Sequence, residues 1–109
     1  MIITTSDEIP GYTITKCIGL VRGNAVRARN ICHDILASLR NLVGGEISDY
    51  TKMLAETREQ ALDRMCEEAM NQGANAVVAL RFASSEIMRG AAELLAYGTA
   101  VVALKNNDD

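Results

Sequence analysis

Between Asp49 and Phe82 the alternation of apolar and polar residues changes period, and the rest of the chain is arranged around that change. Leu54, Ala61, Leu62, Met65, Cys66, Ala69 and Met70 recur at helical spacing and form one stripe. Glu56, Glu59, Gln60, Asp63, Arg64 and Glu67 fall on the opposite side, toward water. Gly73 suits the left-handed turn that ends a helix, and the apolar run Ala76-Val77-Val78-Ala79-Leu80 follows at once. A helix with one dry stripe needs a sheet to cover, and the next element is a strand.

Upstream, Ile2 to Thr5 predicts a short edge strand, and Asp7 to Gly11 holds the only proline and reads as a turn. Tyr12 to Val21 alternates, with Ile14, Ile18 and Leu20 on one side and Thr13, Thr15 and Cys17 on the other, as in a strand. Arg22-Gly23-Asn24 breaks that alternation. From Ala25 the period becomes helical through Ala28, Ile31, Cys32, Ile35, Leu36, Leu39, Leu42 and Val43, and Gly44-Gly45 ends it. Ser48 or Asp49 is a natural N-cap for the long helix. Downstream, Asn75 to Ala83 and Leu94 to Leu104 are strand-like, with Ser84 to Glu93 between them as a loop too long for a tight turn.

The pattern therefore predicts an α+β fold: a small, mostly antiparallel sheet covered on one face by two helices. Ala-Val-Val-Ala-Leu occurs at 76–80 and again at 100–104. Successive strand residues point to opposite faces, so uninterrupted apolar runs ask for cover on both. Two helices supply one cover; a second copy of the chain is the simplest other.

Composition changes this picture little. Residues 1–109 make one domain, whose core must use Ala, Val, Ile, Leu and Met because there is no Trp and one Phe. A net charge of -3 gives no basic field to attract nucleic acid or an anionic membrane. The amino terminus lacks the basic and apolar regions of a secretory signal, and Leu94 to Leu104 is far short of the roughly 20 apolar residues a spanning helix needs. A soluble, cytoplasmic protein is expected. Cys17, Cys32 and Cys66 sit on three separate elements, where reduced thiols behave as small core hydrophobes.

Val43-Gly44-Gly45-Glu46 with Tyr50, Arg58-Glu59-Gln60-Ala61-Leu62, Gly73-Ala74-Asn75-Ala76-Val77-Val78 and Tyr97-Gly98-Thr99-Ala100-Val101 together resemble the YbjQ family. Gly23-Asn24-Ala25 through Asn30-Ile31 resembles it too, so the match spans nearly the whole chain. The resemblance implies a dodecin-like, ring-shaped homo-oligomer of five α+β subunits. It also carries a label of heavy-metal binding, which is a suspicion about the family and not an established activity. Some relatives carry acidic residues where this chain has Arg81, Ala83 and Ser84; any metal-binding role of those carboxylates is lost here.

Candidate chemistry is sparse. Cys32 and His33 are the adjacent soft ligands for a transition-metal ion, yet neighbouring helical positions point about 100° apart, so closing on one ion would require other copies. Arg22, Arg27 and Arg29, placed around a helix start, suit a small phosphate or carboxylate ligand, or ion pairs between subunits with carboxylates such as Glu46 or Asp49. Tyr50 and Tyr97 are candidate interface or pocket residues. The acidic residues of the long helix have the spacing of a solvated face, and the single His has no nucleophile it can activate, so no catalytic constellation is expected.

Overall fold

The computed structural model describes residues 1–27, 48–88 and 91–107. Its elements are β1 (Ile2–Ile3), β2 (Tyr12–Arg27), α1 (Ser48–Asn71), β3 (Ala76–Met88) and β4 (Ala91–Lys105). The strands form one sheet in the order β1-β3-β4-β2, parallel at β1–β3 and antiparallel elsewhere. The α+β class and the mostly antiparallel sheet agree with the sequence reading. Of the two covering helices expected, α1 is the one among the described residues, and the helical stripe from Ala28 to Val43 lies outside them.

The β2 strand corrects three expectations. Arg22-Gly23-Asn24 does not break it, and no helix begins at Ala25, because pairing with β4 continues without a shift from Leu20 to Arg27. Val21, Gly23 and Ala25 alternate toward the helix, all buried, while Leu20, Arg22, Asn24 and Val26 alternate away. Gly23 is a place for close approach rather than a turn. A Cβ there would collide with backbone atoms of Ala61, Arg64 and Met65, so its absence lets α1 lie directly on the strand. Two register shifts, at Ile14/Lys16 and at Cys17/Gly19, also undo the grouping of Ile18 with Leu20. Ile18 packs against the helix-side core, whereas Leu20 is 64% exposed on the other face.

Helix α1 buries Thr57, Ala61, Met65 and Ala69, a row spaced by four, with Leu62 and Cys66 at its margin. Leu54 and Met70, assigned to the same stripe, are exposed. The helix ends as expected. Gly73 takes φ of 89°, its N–H donates to the Met70 carbonyl (3.0 Å), and the Ala74 N–H reaches back to the Ala69 carbonyl (3.0 Å), which satisfies two of the last-turn carbonyls. Asn75 then extends the pairing of β3 with β4 through its side chain: Nδ2 donates to the Ala103 carbonyl and Oδ1 accepts from the Ala103 N–H, both at 2.8 Å.

The Ser84 to Glu93 loop is also corrected. Both strands run on through that stretch, with Met88 opposite Ala91, which leaves only residues 89–90 between them. A strand of 15 residues such as β4 spans roughly 50 Å, against roughly 36 Å for the 24-residue α1. The sheet therefore outruns the helix.

The sheet face away from α1 is partly covered by the chain itself. Residues 4–6 continue along the β3 edge, with the Thr4 N–H bonded to the Val77 carbonyl (3.0 Å), and beyond them Ile9 is buried against Ala76, Val78, Val101 and Ala103. At that end the second cover comes from the amino-terminal segment and needs no other copy. Farther along, Leu20 and Val26 stand exposed beside half-buried Leu95 and Tyr97.

Candidate functional site

The exposed length of the sheet holds the chemistry that the described residues offer. Arg22 on β2, Tyr97 on β4 and Arg81 on β3 are direct cross-strand partners, so they form one row on the face away from α1. Flanking rows place Leu20 with Thr99, and Asn24 with Leu95 and Ala83.

Each arginine is set by local structure. Arg81 follows a one-residue bulge, since β3 advances three positions from Val78 while β4 advances two. Within the bulge Ala79 adopts φ of 55°, a left-handed conformation that costs a residue with a Cβ about 1–2 kcal/mol. The amino-terminal segment holds it there: the Ala79 N–H donates to the Ser6 carbonyl (2.9 Å) and the Leu80 N–H to Thr4 (3.0 Å). Arg81 Nη1 in turn donates to the carbonyls of Thr5 (2.9 Å) and Leu80 (2.8 Å), which anchors the guanidinium.

Arg22 is fixed through its backbone. Its N–H points off the edge of β2 away from β4 and donates to Glu68 Oε2 at 3.1 Å, and Arg64 Nη1 donates to the Asn24 carbonyl on the same edge. Side chains of α1 thereby occupy edge groups that would otherwise be open to another strand. The Arg22 guanidinium has no partner among the described residues.

The residues expected to carry function fare unevenly. Arg22 lies in a strand, not at a helix start, so the free amides expected to join it are absent from that position. Arg27 ends β2 opposite Ala92, and its side chain lies outside the described residues. Arg29, Cys32 and His33 lie outside them altogether. Arg81 enters the site unforeseen, because only strand register reveals that it shares a row with Arg22. Tyr97, expected at an interface or pocket, sits between them.

For a metal, the described residues do not fit. They contain no group of three or more His, Cys, Asp or Glu side chains placed to hold an ion. Cys17 is exposed, contrary to its expected core role, while Cys66 lies at the margin of the helix-side core. Burial pushes the Cys66 thiol above its ordinary range, and the Asp63 carboxylate pushes it the same way. A thiol held protonated is a poor metal ligand, because coordination requires the thiolate. An open depression is lined by Glu8 to Ile14, a run that holds no His or Cys.

Residues 1–104 match the family model YbjQ_1, described as "Putative heavy-metal-binding". The chain belongs to the YbjQ family. Curated relatives named UPF0145 proteins agree: one from Methanoculleus marisnigri is 55% identical, covering 93% of this chain and 94% of the relative. Another, from Clostridioides difficile, is 51% identical over 98% of this chain and 96% of the relative. Among solved structures, a protein of unknown function of the DUF74 family from Pediococcus pentosaceus superposes with a TM-score of 0.55. That match covers 97% of this chain and 98% of the other at 20% identity, and it speaks for the fold alone. No helix among the described residues is long and apolar enough to cross a membrane.

Proposed function

We propose that this YbjQ-family chain is a non-catalytic binding subunit that self-associates in the cytoplasm and holds a small ligand between copies. The observation that carries the reading is the exposure of Leu20 and Val26 on the same sheet face as half-buried Leu95 and Tyr97. No described residue covers these apolar positions, which alternate with Arg22 and Asn24 along β2, the mixed apolar and polar character of many contact surfaces. A ring of five copies is what the family resemblance adds. An interface that joins one face to a different face closes into such a ring when the rotation allows.

The family's designation favours a second reading, in which the ligand is a transition-metal ion. Cys32 and His33 would then hold it jointly with residues of other copies, since Cys17 and Cys66 are not gathered into a common site. Reduced protein prepared without chelator or immobilised metal is expected to carry less than about one tightly held ion per chain, because a tetrahedral site needs four ligands. Elemental analysis alongside a variant with Cys17, Cys32 and Cys66 all changed to Ser checks this. One equivalent of zinc or copper in the parent, lost in the variant, would establish the metal reading instead.

A further inference from the structure

The two edges of the sheet are finished differently. On β2, Glu68 and Arg64 of α1 occupy the outward backbone groups of Arg22 and Asn24. On β3, the amino-terminal segment covers the edge as far as Leu80: the Ala79 N–H donates to the Ser6 carbonyl (2.9 Å) and the Leu80 N–H to Thr4 (3.0 Å). The Arg81 guanidinium then folds back along that edge onto the Leu80 and Thr5 carbonyls, at 2.8 and 2.9 Å, and closes the last covered position. Beyond it β3 runs on to Met88 with no strand on its outer side among the described residues.

Register decides which backbone groups face outward there. The Arg22 N–H points away from β4, so Arg22 and Tyr97 are a non-hydrogen-bonded pair, and the Tyr97 backbone turns toward β3. Arg81, opposite Tyr97, therefore bonds to β4, and pairing continues without a shift as far as Glu86. Alternation then directs the N–H and C=O groups of Phe82, Ser84 and Glu86 off the outer edge. Residues 82 to 85 are all exposed, and the outward N–H groups of Phe82 and Ser84 have no acceptor among the described residues. No proline, lysine or bulge, the devices that ordinarily keep an edge from pairing, interrupts Phe82 to Glu86.

We propose that the outer edge of β3 from Phe82 to Glu86 pairs antiparallel with the same edge of a second copy, about a two-fold axis at Ser84. Leu80 is already engaged and the register shift after Glu86 ends the regular ladder, so Ser84 is the middle of what remains open. In this register Phe82 of each copy stands opposite Glu86 of the other and the two Ser84 residues face each other, so no like charges meet. Every outward residue falls in a hydrogen-bonded pair, for about six backbone bonds in all. A second copy fits because the open edge is complementary to itself. The seal on β2 also keeps the joined sheet from growing, so edge pairing stops at two. The contact uses neither Leu20 nor Val26, and so is separate from the sheet-face association proposed above. So short a ladder is weak, and it forms at millimolar rather than micromolar concentration.

Sedimentation velocity of the full-length, reduced protein from micromolar to millimolar concentration tests this. Whatever species is present at micromolar concentration should double in mass as concentration rises. Ser84→Pro should weaken the doubling about ten-fold or more, because it removes an outward N–H and sets a pyrrolidine ring in the contact. It should leave β3 paired with β4, since that N–H does not face β4. Ser84→Ala should pair as the parent does, because the bonds come from the backbone. The smaller species left by Leu20→Asp should still double, which separates this contact from the sheet-face association: a failure of either leaves the other measurable. Amide exchange gives a second reading on the unmodified chain. The Ser84 N–H should exchange more slowly at millimolar than at micromolar concentration, whereas the Ala83 N–H, directed at β4, should not change. No doubling at millimolar concentration, doubling undiminished in folded Ser84→Pro, or Ser84 exchange independent of concentration overturns the proposal. So does saturable binding of a synthetic peptide of residues 82–88 by a parent that does not double, since the edge would then receive an extended strand of another protein.

Discussion

Gly23→Ala is expected to destabilise the protein by about 3 kcal/mol or more, the upper end of the cost of overfilling a packed site. The added Cβ would strike backbone atoms of Ala61, Arg64 and Met65, none of which can turn aside as a side chain can. Relief requires α1 to lift from β2, which pulls Arg64 from the Asn24 carbonyl and Glu68 from the Arg22 N–H. Two other glycines calibrate the effect. Gly11 has φ of 84° and open space at the Cβ position, so alanine there should cost only the backbone term, about 1 kcal/mol. At Gly98 the nearest obstacle is the Val77 Cγ1 at 2.7 Å, a side-chain atom, and then the Val78 carbonyl at 3.0 Å, so an intermediate loss is expected. Urea unfolding at one fixed protein concentration reads all three. Equal losses at Gly23 and Gly11 would mean that α1 is not seated on β2 as described.

Met65→Ala should cost about 2–5 kcal/mol, because Met65 is fully buried and is the largest side chain so enclosed among the described residues. The cavity would open between α1 and the sheet, bordered by small residues of the same core such as Ala61, Ala69 and Ala96, which cannot extend to fill it. Leu62→Ala should cost less, since Leu62 is only partly buried. Glu59→Ala, on the exposed side of the helix, should change stability by less than about 0.5 kcal/mol. Matching losses at Met65 and Glu59 would show that the helix faces the sheet through a different stripe.

The parts of this architecture that depend on local chemistry were legible in the sequence. The stripe through Ala61, Met65 and Ala69 and the stop at Gly73 follow from helical period and backbone freedom alone. So does the edge position of β1, which is short and amino-terminal. Where tertiary contact outweighed local preference, the sequence misled. Gly23 looks like a strand breaker until a helix is found lying on it, and Ser84 to Glu93 is polar enough to resemble a loop while pairing as strand. The exposed Leu20 and Cys17 depend on register shifts in β2 that no period reveals. The candidate site was half visible. Arg22 and Tyr97 drew notice for their chemistry, but Arg81 joins them only because a bulge at Ala79 resets β3 against β4. An amphipathic pattern records what one element wants to bury; it does not record which residues of three strands stand side by side.

The claim on which the functional account rests most is that the exposed apolar part of the sheet is closed by other copies of the chain. Sedimentation velocity of the reduced protein at micromolar concentration measures this directly. The account predicts one discrete assembly that persists on dilution, and for a ring of five 11.8 kDa chains its mass would be about 59 kDa. Leu20→Asp, which sets a charge on the exposed face without touching the helix-side core, should shift the population toward smaller species while the chain stays folded. A parent protein that sediments as a stable, folded monomer would contradict the account.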